Sequence, residues 1–237
     1  MMDFSVVCID MFQTLVDVNS RRHLFWHEVL QEKYSERLAE EYSASWVELF
    51  NERFNDAARL SSGFATVKSI AAICFDKVFT KTGLTFDSEH AAQMWIDEHK
   101  LAPPYDDTKV FLQSVSAYFP VCLVSDADDE MIWPHLEKYQ FDMVFISERF
   151  KAYKNTPDGK LFRAVINHYQ TVPQKVIHIG DGYNDIGGAN RVGITACWLN
   201  RDRRKWNHNV KPNHEVASLI EAASLLGIQV NNIIRDD

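Results

Sequence analysis

Val6-Val7-Cys8-Ile9 runs into Asp10 with no polar residue to break it. An unbroken apolar run of that length suits a strand buried on both faces of a parallel sheet, since a strand with one wet face alternates. Asp10 then stands at the carboxyl end of the strand, where open α/β sheets form their ligand crevice. A carboxylate carried there by a dry strand is costly unless a cation or a reaction uses it. The design recurs further on. Val121-Cys122-Leu123-Val124 ends on Ser125, and Val176-Ile177-His178-Ile179 ends on Gly180-Asp181 with Asp185 shortly after. Met143-Val144-Phe145-Ile146 precedes a loop carrying Lys151 and Lys154. The expected core is therefore a parallel sheet that gathers a carboxylate, a hydroxyl, a lysine and a carboxylate pair along one edge.

Between the first two strands the period changes from that of a buried strand to that of a helix. Helical patterns cover Arg21 to Tyr34, Leu38 to Phe54, Val67 to Phe79 with Gly83 as C-cap, and Asp87 to Lys100, which Pro103-Pro104 ends. Helices with no strand among them predict a small bundle, residues 17–100, inserted into a core of residues 1–16 and 101–237. Its aromatic stripes are expected to form the bundle's own interior. From Tyr105 onward strands and helices alternate, as in βαβ units. Helices are expected over Asp107 to Tyr118, from Asp128-Asp129-Glu130 onward, from Thr156-Pro157 to Tyr169, over Asn184 to Val192, and over Val216 to Leu226. A strand is expected over Thr195 to Leu199, and Arg201 to Arg204 reads as a solvated basic loop. The three acids at Asp128 suit the first turn of a helix, where the macrodipole favours them, better than a metal site.

Composition excludes several classes. The 237 residues suffice for a sizeable core, and a net charge of −8 without a basic stripe argues against nucleic acid as partner. No window approaches the roughly 18–20 apolar residues of a membrane span. The first strand begins within about five residues, too early for a secretory leader, so the expected setting is cytoplasmic. Cys8, Cys122 and Cys197 fall inside buried strands and Cys74 on an apolar helix face, which reads as core cysteines rather than disulfides or metal ligands. The expected partner is a small molecule, on a monomer or homodimer.

In this order and context the four segments resemble the motifs of the haloacid dehalogenase (HAD) superfamily of hydrolases. Asp10-x-x-x-Thr14-Leu15 and Gly180-Asp181-x-x-x-Asp185 are the specific parts, and the resemblance extends from Val6 to about Leu226. It implies a Rossmann-like α/β core with a helical cap between the first and second motifs. It implies Asp10 as nucleophile, with Ser125 and Lys154 completing the catalytic set and Lys151 and Lys160 as rivals for the lysine. Phe12, Gln13, Thr14 and Asp126 fall at the substrate. It also implies Mg²⁺ held by Asp10, the Phe12 main-chain carbonyl and Asp181, with Asp185 holding a metal-bound water or orienting its neighbours. Electrostatics agrees: two unit charges about 4 Å apart repel by about 4 kcal/mol at an effective dielectric near 20. A hard divalent cation relieves an all-carboxylate site. The plain alternative is that Asp181 and Asp185 only cap the short helix after their strand.

One departure matters. Most phosphatases of the superfamily carry an acid/base aspartate two residues after the nucleophile and a glycine after that; here Phe12 and Gln13 stand there. Such proton transfer contributes about 10²- to 10⁴-fold in rate. Three functions follow in order. The first is a Mg²⁺-dependent phosphohydrolase acting on a small phosphorylated metabolite through an aspartyl-phosphate on Asp10, with Lys68, His23 or His27 of the cap as acid/base candidates. The second resembles the metal-free 2-haloacid dehalogenases, which also have an aromatic residue after the nucleophile, and whose pattern Phe64-Ala65-Thr66-Val67 matches. Those enzymes lack the counterpart of Asp181, which ranks them lower. The third is a phosphate-ligand or partner binder without turnover.

Overall fold

The computed structural model describes residues 3–59 and 63–230. Six strands form one parallel sheet: β1 (Val6–Ile9), β2 (Val121–Ser125), β3 (Met143–Ile146), β4 (Val176–Gly180), β5 (Thr195–Leu199) and β6 (His214–Val216). Their order is β3-β2-β1-β4-β5-β6, so β1 lies between β2 and β4 and the chain reverses its direction of travel across the sheet there. Such a switch point opens a crevice beyond the carboxyl ends of the strands. Both faces are dry, as the unbroken apolar runs require. Val7 and Ile9 pack into one core with α5 (Thr108–Ser116) and α10 (Leu219–Leu225), while Val6 and Cys8 pack into another with α8 (Lys160–His168) and α9 (Tyr183–Arg191); α6 (Asp129–Leu136) and α7 (Ser147–Phe150) follow β2 and β3.

The stretch after β1 forms α1 (Arg22–Leu30), α2 (Glu36–Arg59), α3 (Val67–Thr82) and α4 (Ser88–Lys100). Local chemistry sets their ends. Thr66 accepts the Ser69 N–H and caps α3, Asp87 accepts the His90 N–H and caps α4, and Gly83 ends α3 at φ 68°, a left-handed conformation glycine adopts without strain. Phe25, Trp26, Trp46 and Phe75 fill the bundle interior in close aromatic contact. The two connections to the sheet run side by side: Asp17 N–H donates to Pro103 and Tyr105 N–H donates to Leu15. None of the described helices is long and apolar enough to cross a membrane.

Three local expectations are corrected. The helix expected from Thr156-Pro157 starts at Lys160 instead. The Thr156 hydroxyl is turned to the Tyr153 carbonyl, and Gly159 sits at φ 63° in a tight turn before the helix. Val216 belongs to a strand, because Leu199 pairs with it as the sheet's edge, and Ser218 caps α10 two residues later. Arg201 is no solvated residue either. It grips both carboxylate oxygens of Asp107, reaches the Thr14 carbonyl and lies 3.9 Å over the Tyr105 ring. Short elements after a turn carry too few periods for sequence to place their ends.

Candidate active site

Asp10 leaves β1 at the switch point and is 5% exposed. Two donors converge on its Oδ1: the Ser125 hydroxyl at 2.7 Å from β2 and Lys154 Nζ at 2.9 Å. Lys154 also donates to Asp185 Oδ1 at 2.5 Å, so one buried ammonium joins two carboxylates. Lys151 instead lies over the Phe64 ring at 5.2 Å, and Lys160 is exposed on α8. Of the three lysines, Lys154 is the one in contact with Asp10.

Close backbone packing puts these groups in place. A Cβ on Gly188 in α9 would stand 2.3 Å from the Lys154 carbonyl, so only glycine lets α9 approach the lysine loop. A Cβ on Gly180 would stand 2.2 Å from Asp185 Cγ, so the turn after β4 needs the same allowance. Asp185 Oδ2 accepts the Gly182 N–H, and its Oδ1 accepts His178 Nε2–H at 2.7 Å. His178 sits mid-strand with no exposure. A lone histidine in an apolar strand seven residues before the aspartate was the signal that it holds a side chain rather than fills space.

The charges are out of balance. Burial pushes the Asp10 carboxyl up, with Lys154 opposing it and Asp185 adding to it. Burial also acts on Asp185, but Lys154 and His178 outweigh it and hold this carboxyl well below the usual range. For Lys154 burial favours the neutral amine, and Asp10, Asp185 and Asp126 overcome it and raise its pKa. Asp181 has no such partner. Burial, then Asp185 and Asp10, push it up to about 7, and Arg204 approaches its Oδ2 only to 3.5 Å. Asp126 is likewise pushed up to about 7 by burial; its Oδ1 accepts the Lys154 N–H and its buried Oδ2 has no partner among the described residues.

Oxygens of Asp10, Asp181 and Asp185 lie within 4.8 Å of one another. They border a crevice of 580 Å³ together with Phe12, Gln13, Ser125, Asp126 and Lys154. Gln13 is partly engaged elsewhere, its Oε1 accepting from Val18 N–H and the Tyr105 hydroxyl. Thr14 is not part of the lining. It is fully buried beneath, its hydroxyl without a partner among the described residues, so the place at the substrate expected of it is not taken.

The helical bundle supplies the opposite wall with Phe50, Asn51, Phe54 and Asn55 of α2 and with Trp95 and His99 of α4. Phe50 and Phe54 read as bundle interior in sequence; Asn51 and Asn55, one turn apart beside them, were the signal that this face meets polar space. His23 and His27 are exposed on α1. Lys68 is held by Gln93 and by Glu130. His99 is instead the titratable cap group beside Phe12, its ring centroid 4.9 Å away. Its Nδ1–H donates to the Trp95 carbonyl, and burial lowers its pKa to about 4, which leaves it neutral with the lone pair on Nε2. Asp128, expected only to favour its own helix, accepts the N–H groups of Val67 and Lys68, both at 2.8 Å, and so caps α3 of the bundle from the sheet side.

Residues 4–193 match the protein family described as haloacid dehalogenase-like hydrolase. A curated relative, (S)-2-haloacid dehalogenase 4A of Burkholderia cepacia, is 28% identical over 138 residues, 56% of this chain and 59% of that protein. Another, phosphoserine phosphatase of Thermus thermophilus, is 25% identical over 136 residues, 55% of this chain and 54% of that protein. The chain thus matches little more than half the length of each. Among solved structures, the L-2-haloacid dehalogenase of Xanthobacter autotrophicus superposes with a TM-score of 0.78 at 18% identity, covering 94% of this chain and 98% of that one. The HAD-hydrolase YfnB of Bacillus subtilis, bound to magnesium, superposes with a TM-score of 0.80 at 17% identity, covering 95% and 99%. At such identities these two likenesses speak for the fold.

Proposed function

The chain belongs to the haloacid dehalogenase-like hydrolases, and from that membership we propose that it is a Mg²⁺-dependent phosphohydrolase of a small phosphorylated metabolite. The observation that carries the reading is the trio Asp10, Asp181 and Asp185, whose oxygens lie within 4.8 Å of one another. Lys154 bridges Asp10 and Asp185 with a single positive charge, and Arg204 reaches Asp181 only at 3.5 Å, so two cations face three carboxylates. An all-oxygen set with one charge unmatched fits a hard divalent ion. Asp10, Asp181 and the Phe12 carbonyl would hold it, with Asp185 beside them. Once bound, Mg²⁺ supplies neutralisation of charge that grows on the phosphoryl oxygens at the transition state.

The chain's own residues do the rest. Lys154 and Ser125 fix Asp10 by Oδ1, which leaves Oδ2 free to attack phosphorus. A bond forms from Asp10 to phosphorus as the bond to the leaving oxygen breaks. Water then attacks the phosphorus of the aspartyl-phosphate, freeing phosphate and regenerating the carboxylate. Phe12 cannot give the leaving oxygen its proton, which favours substrates whose leaving group needs little help. Residues 17–100 act in this reading as a cap over the core of residues 1–16 and 101–237, excluding water while the intermediate lives.

A second reading has an observation of its own. The Phe12 ring packs edge-on against the His99 ring at 4.9 Å and the His135 ring at 6.0 Å, filling with apolar surface the place of an acid/base carboxylate. Asp10 would then displace halide from carbon, which needs no proton, as the names of several relatives suggest. Hydrolysis of p-nitrophenyl phosphate with and without Mg²⁺, beside halide release from 2-chloropropionate in EDTA, separates the two. Millimolar Mg²⁺ should also raise the melting temperature, because it binds the folded state, and Asp181→Ala should abolish that increment. An unchanged melting point, with halide released in EDTA, would install the dehalogenase reading.

A further inference from the structure

Inside the helical bundle lies a second space, a cavity of 160 Å³ walled by Phe25, Trp26, Trp46, Phe75 and Trp95. Protein interiors leave few voids larger than a water molecule, and an apolar cavity of about 150 Å³ takes up benzene. Here the walls are flat rings in mutual contact: Trp46 stacks on Phe75 at 4.9 Å and meets Trp95 at 5.1 Å. Burial of Phe25, Trp26, Trp46 and Phe75 is nearly complete. Of the charged lining residues, Arg22 is exposed, and Glu98 is already paired with Arg21 at 2.6 Å.

A separate observation points to an occupant. Trp46 is 7% exposed, and its Nε1–H is buried with no hydrogen-bond partner among the described residues. Such orphaned donors are uncommon in folded proteins. The cavity also adjoins the reaction crevice, because Val18, Trp95 and His99 line both. The ring of His99 lies 4.0 Å from that of Trp95 and 4.9 Å from that of Phe12, so a short aromatic partition separates the cavity from Asp10.

We propose that this cavity seats the non-reacting part of the substrate, a single uncharged ring carrying a hydrogen-bond acceptor that takes the Trp46 N–H. The assignment rests on hydrolysis taking place at Asp10, but its first test needs no turnover. Calorimetric titration of the full chain with benzene and with isosteric pyridine, at a pH where pyridine is neutral, should show saturable binding of one molecule of each. Trp46→Phe keeps an aromatic wall and removes the donor. It should weaken pyridine about five- to tenfold, the worth of one hydrogen bond, while benzene changes less than about twofold. Ser43→Leu, which adds bulk from a buried lining position, should abolish binding of both. In the Mg²⁺-dependent hydrolysis of 4-(3-phenylpropyl)phenyl phosphate, whose second ring is carried on a chain long enough to pass the partition, pyridine should raise KM without lowering kcat, and Trp46→Phe should blunt that effect. Absence of saturable binding, or equal weakening of both probes by Trp46→Phe, overturns the proposal, as does pyridine binding that leaves KM unchanged. Absence of all turnover would instead remove the reading at Asp10, and the calorimetry would still decide what the cavity holds.

Discussion

Phe12 is the residue on which the chemistry turns, because it is half-buried against two neutral histidines where a second carboxylate would serve proton transfer. Phe12→Asp should raise Mg²⁺-dependent turnover of alkyl phosphates toward the 10²-fold that general acid catalysis supplies. p-Nitrophenyl phosphate should gain less, since its leaving group hardly needs the proton. The stability cost should stay below the roughly 3–5 kcal/mol of deleting a fully buried phenylalanine. A folded variant no faster on alkyl phosphates would mean that another group already supplies the proton, or that phosphate is not the substrate. Asp126 gives a prediction about pH. Its folded pKa lies at about 7 against an ordinary 3.8, so the folded state holds this proton more tightly than the unfolded chain does. For an acid raised in this way the penalty is absent below about pH 4, grows as pH rises, and is complete above about 7. Asn keeps an oxygen for the Lys154 N–H. The melting temperature of Asp126→Asn should therefore match wild type at the acid end and exceed it increasingly through neutrality; a difference independent of pH would sink the argument.

At the level of elements, the site depends on how closely helices approach loops. Gly188→Ala would place a methyl 2.3 Å from the Lys154 carbonyl, where neither helix backbone nor loop has side-chain slack to give. The expected cost is about 1–3 kcal/mol of stability, the range for overpacking. Activity should fall by more than stability explains, because the shift displaces Lys154 from Asp10 and Asp185. Denaturant titration beside turnover of the folded fraction checks both. The strands were legible because each is a short apolar run that hands over to a polar residue, and β1 to β5 lie where those runs are. Helices of the bundle were legible from long stripes and strong stops such as Asp87 and Gly83. What sequence hid is what depends on contacts far along the chain. Asp128 looked like an acid favouring its own helix but caps α3, some 60 residues away. Arg201 looked like surface but closes on Asp107. β6 carries one buried residue in three and no period to read. Asp10, Ser125, Asp181 and Asp185 were readable as one cluster because strand ends of a parallel sheet meet by topology, whereas Lys154, in the loop after β3, was set apart from Lys151 and Lys160 only by the family resemblance; His99 was not readable, because only the docking of the bundle brings it there.

For the whole molecule, the same docking sets how the crevice opens. The bundle is joined to the sheet by two strips of chain that hydrogen-bond to each other between Leu15 and Tyr105 and between Asp17 and Pro103, a natural axis for rotation. Away from that axis it is latched. Asp128 holds the start of α3, the Tyr153 hydroxyl donates to the Ala65 carbonyl, and Glu130 faces both Lys68 at 3.7 Å and Lys100 at 3.2 Å. The Glu130 pairs already border solvent, and the buried hydrogen bonds of Asp128 and Tyr153 meet water once the bundle swings out, so each polar contact costs only about 0.5–1.5 kcal/mol to exchange. The axis, by contrast, lies beside fully buried Leu15 and Val16. Opening should therefore break the latch and keep the axis, admitting substrate between α2 and the carboxylates. Lys68→Cys with Glu130→Cys places a thiol on each side of the latch, and the native Cys8, Cys74, Cys122 and Cys197 are all buried, so a short reducible cross-linker should select the new pair. Bridging it should suppress turnover when applied before substrate, and reduction should restore it, with the melting temperature unchanged or raised. Turnover that survives the bridge at the rate of the reduced variant would show that substrate enters without separation at the latch, and the bundle would then be a fixed wall rather than a lid.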